Sequence, residues 1–284
     1  MPAFRRVQKV LTSVRVVEND GFVYRRALPH AELKHVDPLL QLDEVGPLDL
    51  APGQRAPTVT VPRRGFHHLT YILDGEMEVS DSRGHAARLR RGDVQVQSLG
   101  TGLVATESSS AHLHAVQIWF NQSRVDKATQ PRTTEVRSSD LPIGFVGNAD
   151  GGPSRGQVRL VAGEALELKS PTPFPGFVLH VSLEPRGIFS YRLPRKTTAL
   201  AYVLEGAGSV DERKVARAGQ LVWFDTDGDA VHIENPQQSI NTLECLVVGG
   251  APLGDLVRQH GSLVAASDEE LILAVNDLAA GKIV

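Results

Sequence analysis

Histidine and carboxylate side chains are the groups in this sequence best suited to chemistry, and they gather in a few places. His67 and His68 stand side by side, Glu107 follows further along, and His112 and His114 lie just beyond it. The second half offers His180 and His232, the latter within Asp229-Ala-Val-His-Ile-Glu-Asn235. Imidazole with carboxylate is a ligand set suited to iron, with positions left open for substrate or dioxygen. Two such ligands do not hold a metal tightly without a third. The single cysteine, Cys245, leaves no intrachain disulfide and no cysteine-based metal site, and its apolar neighbours predict a buried structural thiol. No G-x-S-x-G elbow, phosphate-binding G-x-x-x-x-G-K-[ST] loop or G-x-G-x-x-G fingerprint is present.

The elements that must position these groups are strands. Val59-Val61, Leu69-Leu73, Val94-Val96, Val116-Phe120, Val178-Leu183, Leu200-Leu204, Leu221-Phe224 and Leu243-Val248 are short β-rich runs. Turn clusters separate them, at Asp74-Gly75, Arg91-Gly92-Asp93, Glu205-Gly206 and Asp227-Gly228-Asp229. That rhythm predicts an all-β chain of sandwiches or barrels. One helix closes the chain: Ser267 and Glu270 form a capping box, Leu271, Val275 and Leu278 fall on one face, and Gly281 ends the run. A repeat sets the domain count. Leu69-Thr-Tyr-Ile-Leu-Asp-Gly75 is matched by Leu200-Ala-Tyr-Val-Leu-Glu-Gly206, and Arg91-Gly-Asp-Val94 by Ala218-Gly-Gln-Leu221. The expected organisation is a lead-in over 1–20, an N-terminal barrel over 21–130, a linker over 131–154, and a C-terminal barrel with its helix over 155–284.

Several segments resemble the pirin family, a group of double-barrel cupins. Asp37-Pro-Leu-Leu-Gln-Leu-Asp43-Glu44 is similar to its DPFLLLDEF signature, and Arg64-Gly65-Phe66 with Leu69–Gly75 to its HPHRGFETVTYVLEG strand. Arg91-Gly-Asp-Val-Gln95 resembles PGDVQW. The Ser98–Glu107 segment resembles TAGRGIVHSE, and His114–Asn121 resembles HGLQLWVN. Gly261-Ser-Leu-Val and the closing Ala280-Gly-Lys282 also match the family's C-terminal end. The resemblance implies two tandem cupin domains. It also implies one metal ion, usually iron, held in the N-terminal barrel by the two histidines of HPH with the histidine and glutamate of HSE. Alternate residues of a strand point to one face, so such pairs enter the barrel together.

The matching positions here are Val61-Pro62-Arg63 and Ala105-Thr106-Glu107. Of the four ligands only Glu107 remains, and Arg63 brings a permanent positive charge to the place of the cation. The expectation is therefore no bound metal and no cofactor, with Fe(II) only if the site proves functional. His67, on the same face as Arg63 if the strand is unbroken, and Glu107 are the fallback ligands, with His112 or His114 in support. The binding set to examine is Val61, Arg63, His67, Ala105 and Glu107. A lone buried Glu107 is either protonated or neutralised by Arg63 through two parallel hydrogen bonds, the alternative being an Arg63 turned out to solvent and a wet pocket. Three functions compete: a non-enzymatic or regulatory bicupin, a quercetin 2,3-dioxygenase-type enzyme, and a metal-independent sensor whose lumen takes an anion around Arg63. The partner is a small molecule or a protein. A net charge of -3 argues against nucleic acid, and Arg88-Leu-Arg-Arg91 reads as a solvated turn. No apolar run reaches the roughly 18 residues that span a bilayer. Nor does an apolar stretch follow the basic N-terminus, so a cytoplasmic setting is expected.

Overall fold

In a computed structural model, residues 3–17, 21–149, 151–211 and 214–283 are described. The chain forms two compact units, one of Val14–Ser138 with Leu253–Val284, the other of Met1–Ser13 with Ser139–Pro252. This division crosses the expected boundaries. Strand β1 (Val7–Thr12), placed in the lead-in by sequence, pairs with Gln220–Phe224 of the second unit. The C-terminal helix belongs with the first barrel. The stretch 131–154 is built into both sheets: Arg132–Val136 pairs with Val94–Ser98, and Ile143–Phe145 with Gly156–Ala165. Hydrogen bonding decides this, because each barrel edge gains a strand that the sequential boundaries would leave unpaired.

The first unit is an antiparallel barrel of β2 (Val14–Val17), β3 (Val23–Leu28), β4 (Leu39–Asp49), β5 (Thr58–Arg63), β6 (Phe66–Asp81), β7 (Ala86–Arg90), β8 (Val94–Ser98), β9 (Leu103–Asn121) and β10 (Arg132–Val136). Its order is β10-β8-β6-β9-β4-β3-β2, with β5 on β9 and β7 on β6. The long strands β6 and β9 stay paired while the register slips between Ile72 and Asp74 and again between Gly75 and Met77. Asp74-Gly75 is thus a corner inside one strand, where the sequence suggested a turn between two. Gly75 is required there: its φ is +79°, and a Cβ would lie 2.0 Å from the His112 carbonyl oxygen.

Helix α1 (Asp268–Ala279) carries the expected cap: Glu270 N donates to Ser267 Oγ at 3.2 Å, while the Glu270 carboxylate reaches back to the Ala266 amide at 3.0 Å. Its inward face is not the expected one. Ala274 is buried and Leu271 packs beside Leu263 and Ile283, whereas Val275 and Leu278 stay 36% and 37% exposed. A short helix laid on a strand edge buries a narrow stripe, and here the smallest side chain sits at the contact.

The second unit pairs an eight-stranded sheet, which contains β1, with a five-stranded one. Its interior is apolar throughout the shared cluster, from Val158, Leu160 and Leu179 to Val203, Cys245 and Val247. Burial pushes the Cys245 thiol well up, as expected of a structural cysteine.

Candidate functional site

The first barrel has a polar middle between two apolar ends. One end is Tyr24, Val45, Ile72, Met77 and Leu113; the other is Leu40, Phe66, Leu99 and Leu103. Between them lie Arg63, His68, Gln97, Glu107 and Gln117, all buried. Strand alternation explains how they meet. Val59, Val61 and Arg63 share a face of β5, with Val59 opposite Glu107 and Val61 opposite Ala105. Arg63 therefore runs back along the lumen to reach the carboxylate.

Arg63 Nη1 donates to Glu107 Oε1 at 2.7 Å and to Gln97 Oε1 at 3.2 Å. The other carboxylate oxygen accepts from Gln117 Nε2 at 2.9 Å. The pair thus uses one guanidinium nitrogen, in place of the expected twin bonds, because Gln117 takes the second oxygen. His68 Nδ1 lies 3.3 Å from Arg63 Nη1; an arginine can only donate, so Nδ1 accepts and the proton sits on Nε2. Burial first, and the Arg63 charge second, push His68 down to about 3, so it is neutral at pH 7. For Glu107, burial alone would raise the carboxyl, but the Arg63 charge and the hydrogen bonds from Arg63 and Gln117 outweigh it and hold the group at about 2.

The histidine in the lumen is His68, and His67 is on the opposite face, contrary to the parity read from the sequence. Between β5 and β6, Arg64-Gly65 leave the pleat: Gly65 has φ +84°, and a Cβ on it would lie 2.0 Å from the Val264 carbonyl oxygen. That break shifts the alternation by one residue. His67 instead bonds Ser98 Oγ at 2.9 Å, and burial lowers it to about 4. Neither fallback helper joins Glu107. His112 sits exposed between Asp49 and Asp74, and His114 Nε2 meets Glu44 at 2.7 Å. Bonding to Asp49 and then Asp74 raises the His112 pKa.

Family models for pirin and for the pirin C-terminal cupin domain match residues 21–120 and 178–284. This chain belongs to the pirin family. Pirin-like protein 2 of Arabidopsis thaliana is 30% identical over 284 residues, covering 97% of this chain and 84% of that protein. A putative quercetin 2,3-dioxygenase of Pseudomonas aeruginosa is 30% identical over 277 residues, 93% of each chain. The crystal structure of a quercetin 2,3-dioxygenase from Acinetobacter baumannii superposes with a TM-score of 0.88 over 99% of both chains at 24% identity. The two units are accordingly the tandem cupin domains of a pirin.

Elsewhere in this pirin-family chain the remaining candidates are paired locally. His180 lies 3.1 Å from Glu244, and His232 bonds Ser190 Oγ at 2.9 Å and stacks on Phe4. Arg88 and Arg90 pair with Glu76 and Glu78 along neighbouring strands. Among the described residues no three His, Cys, Asp or Glu side chains stand close enough to hold a metal ion, and no helix is long and apolar enough to cross a membrane. Gln97 and Gln117, absent from the expected site, left a signal in the sequence: Gln97 alternates with Val94 and Val96, and Gln117 interrupts the apolar run from Ala115 to Phe120.

Proposed function

We propose that this protein is a pirin-type bicupin that works without a metal, its N-terminal lumen neutralised by Arg63, and that it acts as a binding or regulatory protein. The observation that carries this reading is the 2.7 Å contact of Arg63 with Glu107 inside a buried lumen. The family's metal needs three imidazoles and a carboxylate. Here the local donors are one imidazole and one carboxylate, both facing the same guanidinium nitrogen. A divalent cation in this place would meet a fixed positive charge, and the residues do not fit it. The quercetin 2,3-dioxygenase activity in the names of two relatives is therefore not assigned to this chain. A cytoplasmic setting and a small-molecule or protein partner belong to the same reading.

A metal-independent sensor is favoured by one further observation. Arg63 Nε, His68 Nε2 and Thr70 Oγ1 are buried donors with no hydrogen-bond partner among the described residues. A small acceptor molecule in the lumen would satisfy such groups.

Elemental analysis of protein purified from iron-supplemented medium, without chelators, tests the main reading. The expected content is below roughly a tenth of an equivalent of any transition metal per chain, with no quercetin turnover after Fe(II) is added. Near-stoichiometric iron, or turnover that follows its addition, overturns it.

A further inference from the structure

The second barrel, built around a large apolar cluster, opens on one side into a cleft of about 880 Å³, a size typical of small-molecule sites. It lies where the two sheets of that unit part: Ile143–Phe145 is the last strand of one sheet, and Tyr191 and Arg192 end Gly187–Arg192 in the other. Val158 and Leu168 form the apolar floor, continuous with the core beneath. Two aromatic rings line the space. Phe145 is 81% exposed, an unusual state for a phenylalanine in a strand, and Tyr191 is held edge-on by Phe177 at 5.3 Å.

The charges around the cleft divide into used and unused. Lys169 and Glu164 satisfy one another at 2.6 Å. The side chains of Glu167 and Arg192 have no hydrogen bond or ion pair among the described residues, so the cleft presents one spare anion and one spare cation. Glu167 is held in place by the backbone: Leu166 and Glu167 both adopt left-handed conformations, at φ 55° and 61°, in the hairpin between Gly156–Ala165 and Leu168–Lys169. Leu166 anchors that hairpin by packing onto the core, and its backbone bonds the Tyr191 hydroxyl.

An apolar floor, two ring walls and one spare charge of each sign describe a ligand with matching parts. We infer that this cleft binds a small aromatic zwitterion of the aromatic amino-acid type. The ring lies on Val158 and Leu168 beside Phe145 and Tyr191, the carboxylate takes Arg192, and the ammonium takes Glu167. A purely anionic aromatic acid leaves Glu167 unanswered, and an aromatic amine leaves Arg192 so. The net charge of the four ionised side chains is zero, which favours a ligand that is itself neutral overall. The site is independent of the first barrel's lumen.

Calorimetric titration of the full-length protein at pH 7 with L-tryptophan, tryptamine and indole-3-propionate tests this. Tryptophan is expected to bind at one per chain, with each analogue weaker by roughly tenfold or more, the usual effect of losing a charge-assisted contact. R192M should weaken tryptophan to the level of tryptamine, and E167Q to the level of indole-3-propionate, without further weakening the analogue that already lacks the matching group. Both substitutions are at exposed positions, and circular dichroism confirms the fold. No binding at about 10 mM ligand overturns the inference, as do analogues that bind as well as tryptophan or variants that bind it unchanged.

Discussion

Replacing Arg63 by Met removes the charge while keeping much of the length and apolar volume, and it isolates what that charge does. Arg63 and Glu107 are 5% and 3% exposed, so neither is answered by bulk water. In R63M the carboxylate keeps only the 2.9 Å bond from Gln117. Stranding one member of a buried pair costs about 3–5 kcal/mol, or a urea midpoint lowered by roughly 2 M for a slope of about 2 kcal/mol/M. The two tryptophans make the measurement local, because Trp119 lies in the first unit and Trp223 in the second. In a W223F background, Trp119, stacked on Phe66 at 4.2 Å, reports the first barrel alone. The loss should also depend on pH. In the parent the Glu107 pKa is depressed from 4.5 to about 2, so its stabilisation is present above pH 4.5 and lost as pH falls toward 2. In R63M the Gln117 hydrogen bond is left as a weak counter to burial, and the carboxyl rises above its unfolded value. The deficit is then greatest at pH 7 and shrinks as the group protonates. Adding E107Q to R63M should recover all but about 1 kcal/mol, since a neutral replacement of a buried pair is often nearly neutral in stability. A single variant within about 1 kcal/mol of the parent at pH 7, or a double variant no better than the single, would refute this account.

Two further perturbations address the same lumen. Folded His68 stays neutral down to about pH 3 while the unfolded histidine takes a proton below about 6.5, so stability should fall as pH drops through that window. H68Q should lose less than the parent between pH 6.5 and 4 by Trp119-monitored urea unfolding, and parallel curves would argue against a buried neutral His68. The triple substitution V61H/R63H/A105H returns imidazoles to the family's ligand positions beside Glu107. It should bind about one equivalent of Fe(II) or Ni(II) by calorimetry where the parent binds none; a triple variant that stays empty would show that these positions do not converge.

The strands, the repeat and the helix cap were legible because each is a local signal: alternation, recurrence, or a cap three residues from its partner. What escaped depends on a single residue of backbone. Gly65 read as one more turn glycine, but its positive φ against the Val264 carbonyl breaks the β5–β6 path and puts His68, not His67, inside. Sequence spacing could not show this, because the contact comes from Val264, far along the chain. The same holds for the unit boundaries: β1 joins the second sheet through pairs such as Leu11 with Leu221, a partner no local pattern names. Arg63 against Glu107 was legible, since both stand at positions fixed by their neighbours. The one-nitrogen geometry was not, because it depends on Gln117 competing for the second oxygen.

The two barrels answer their charges differently, and this bears on where a ligand is expected. In the first, the interior charges answer each other: Arg63 meets Glu107, and Arg26 grips Asp43 with bonds of 2.9 and 2.7 Å while Gln41 adds a third at 2.7 Å. An ion entering that lumen must first displace a partner already in place, which costs the desolvation twice. In the second, the buried Arg5 is answered by the Gly228, Thr197 and Pro194 carbonyls, and the spare Glu167 and Arg192 stand at an open cleft where water still screens them. Binding there costs only the hydration of exposed groups. A ligand at the cleft of the second unit therefore has no partner to evict, unlike a cation at the position that Arg63 fills.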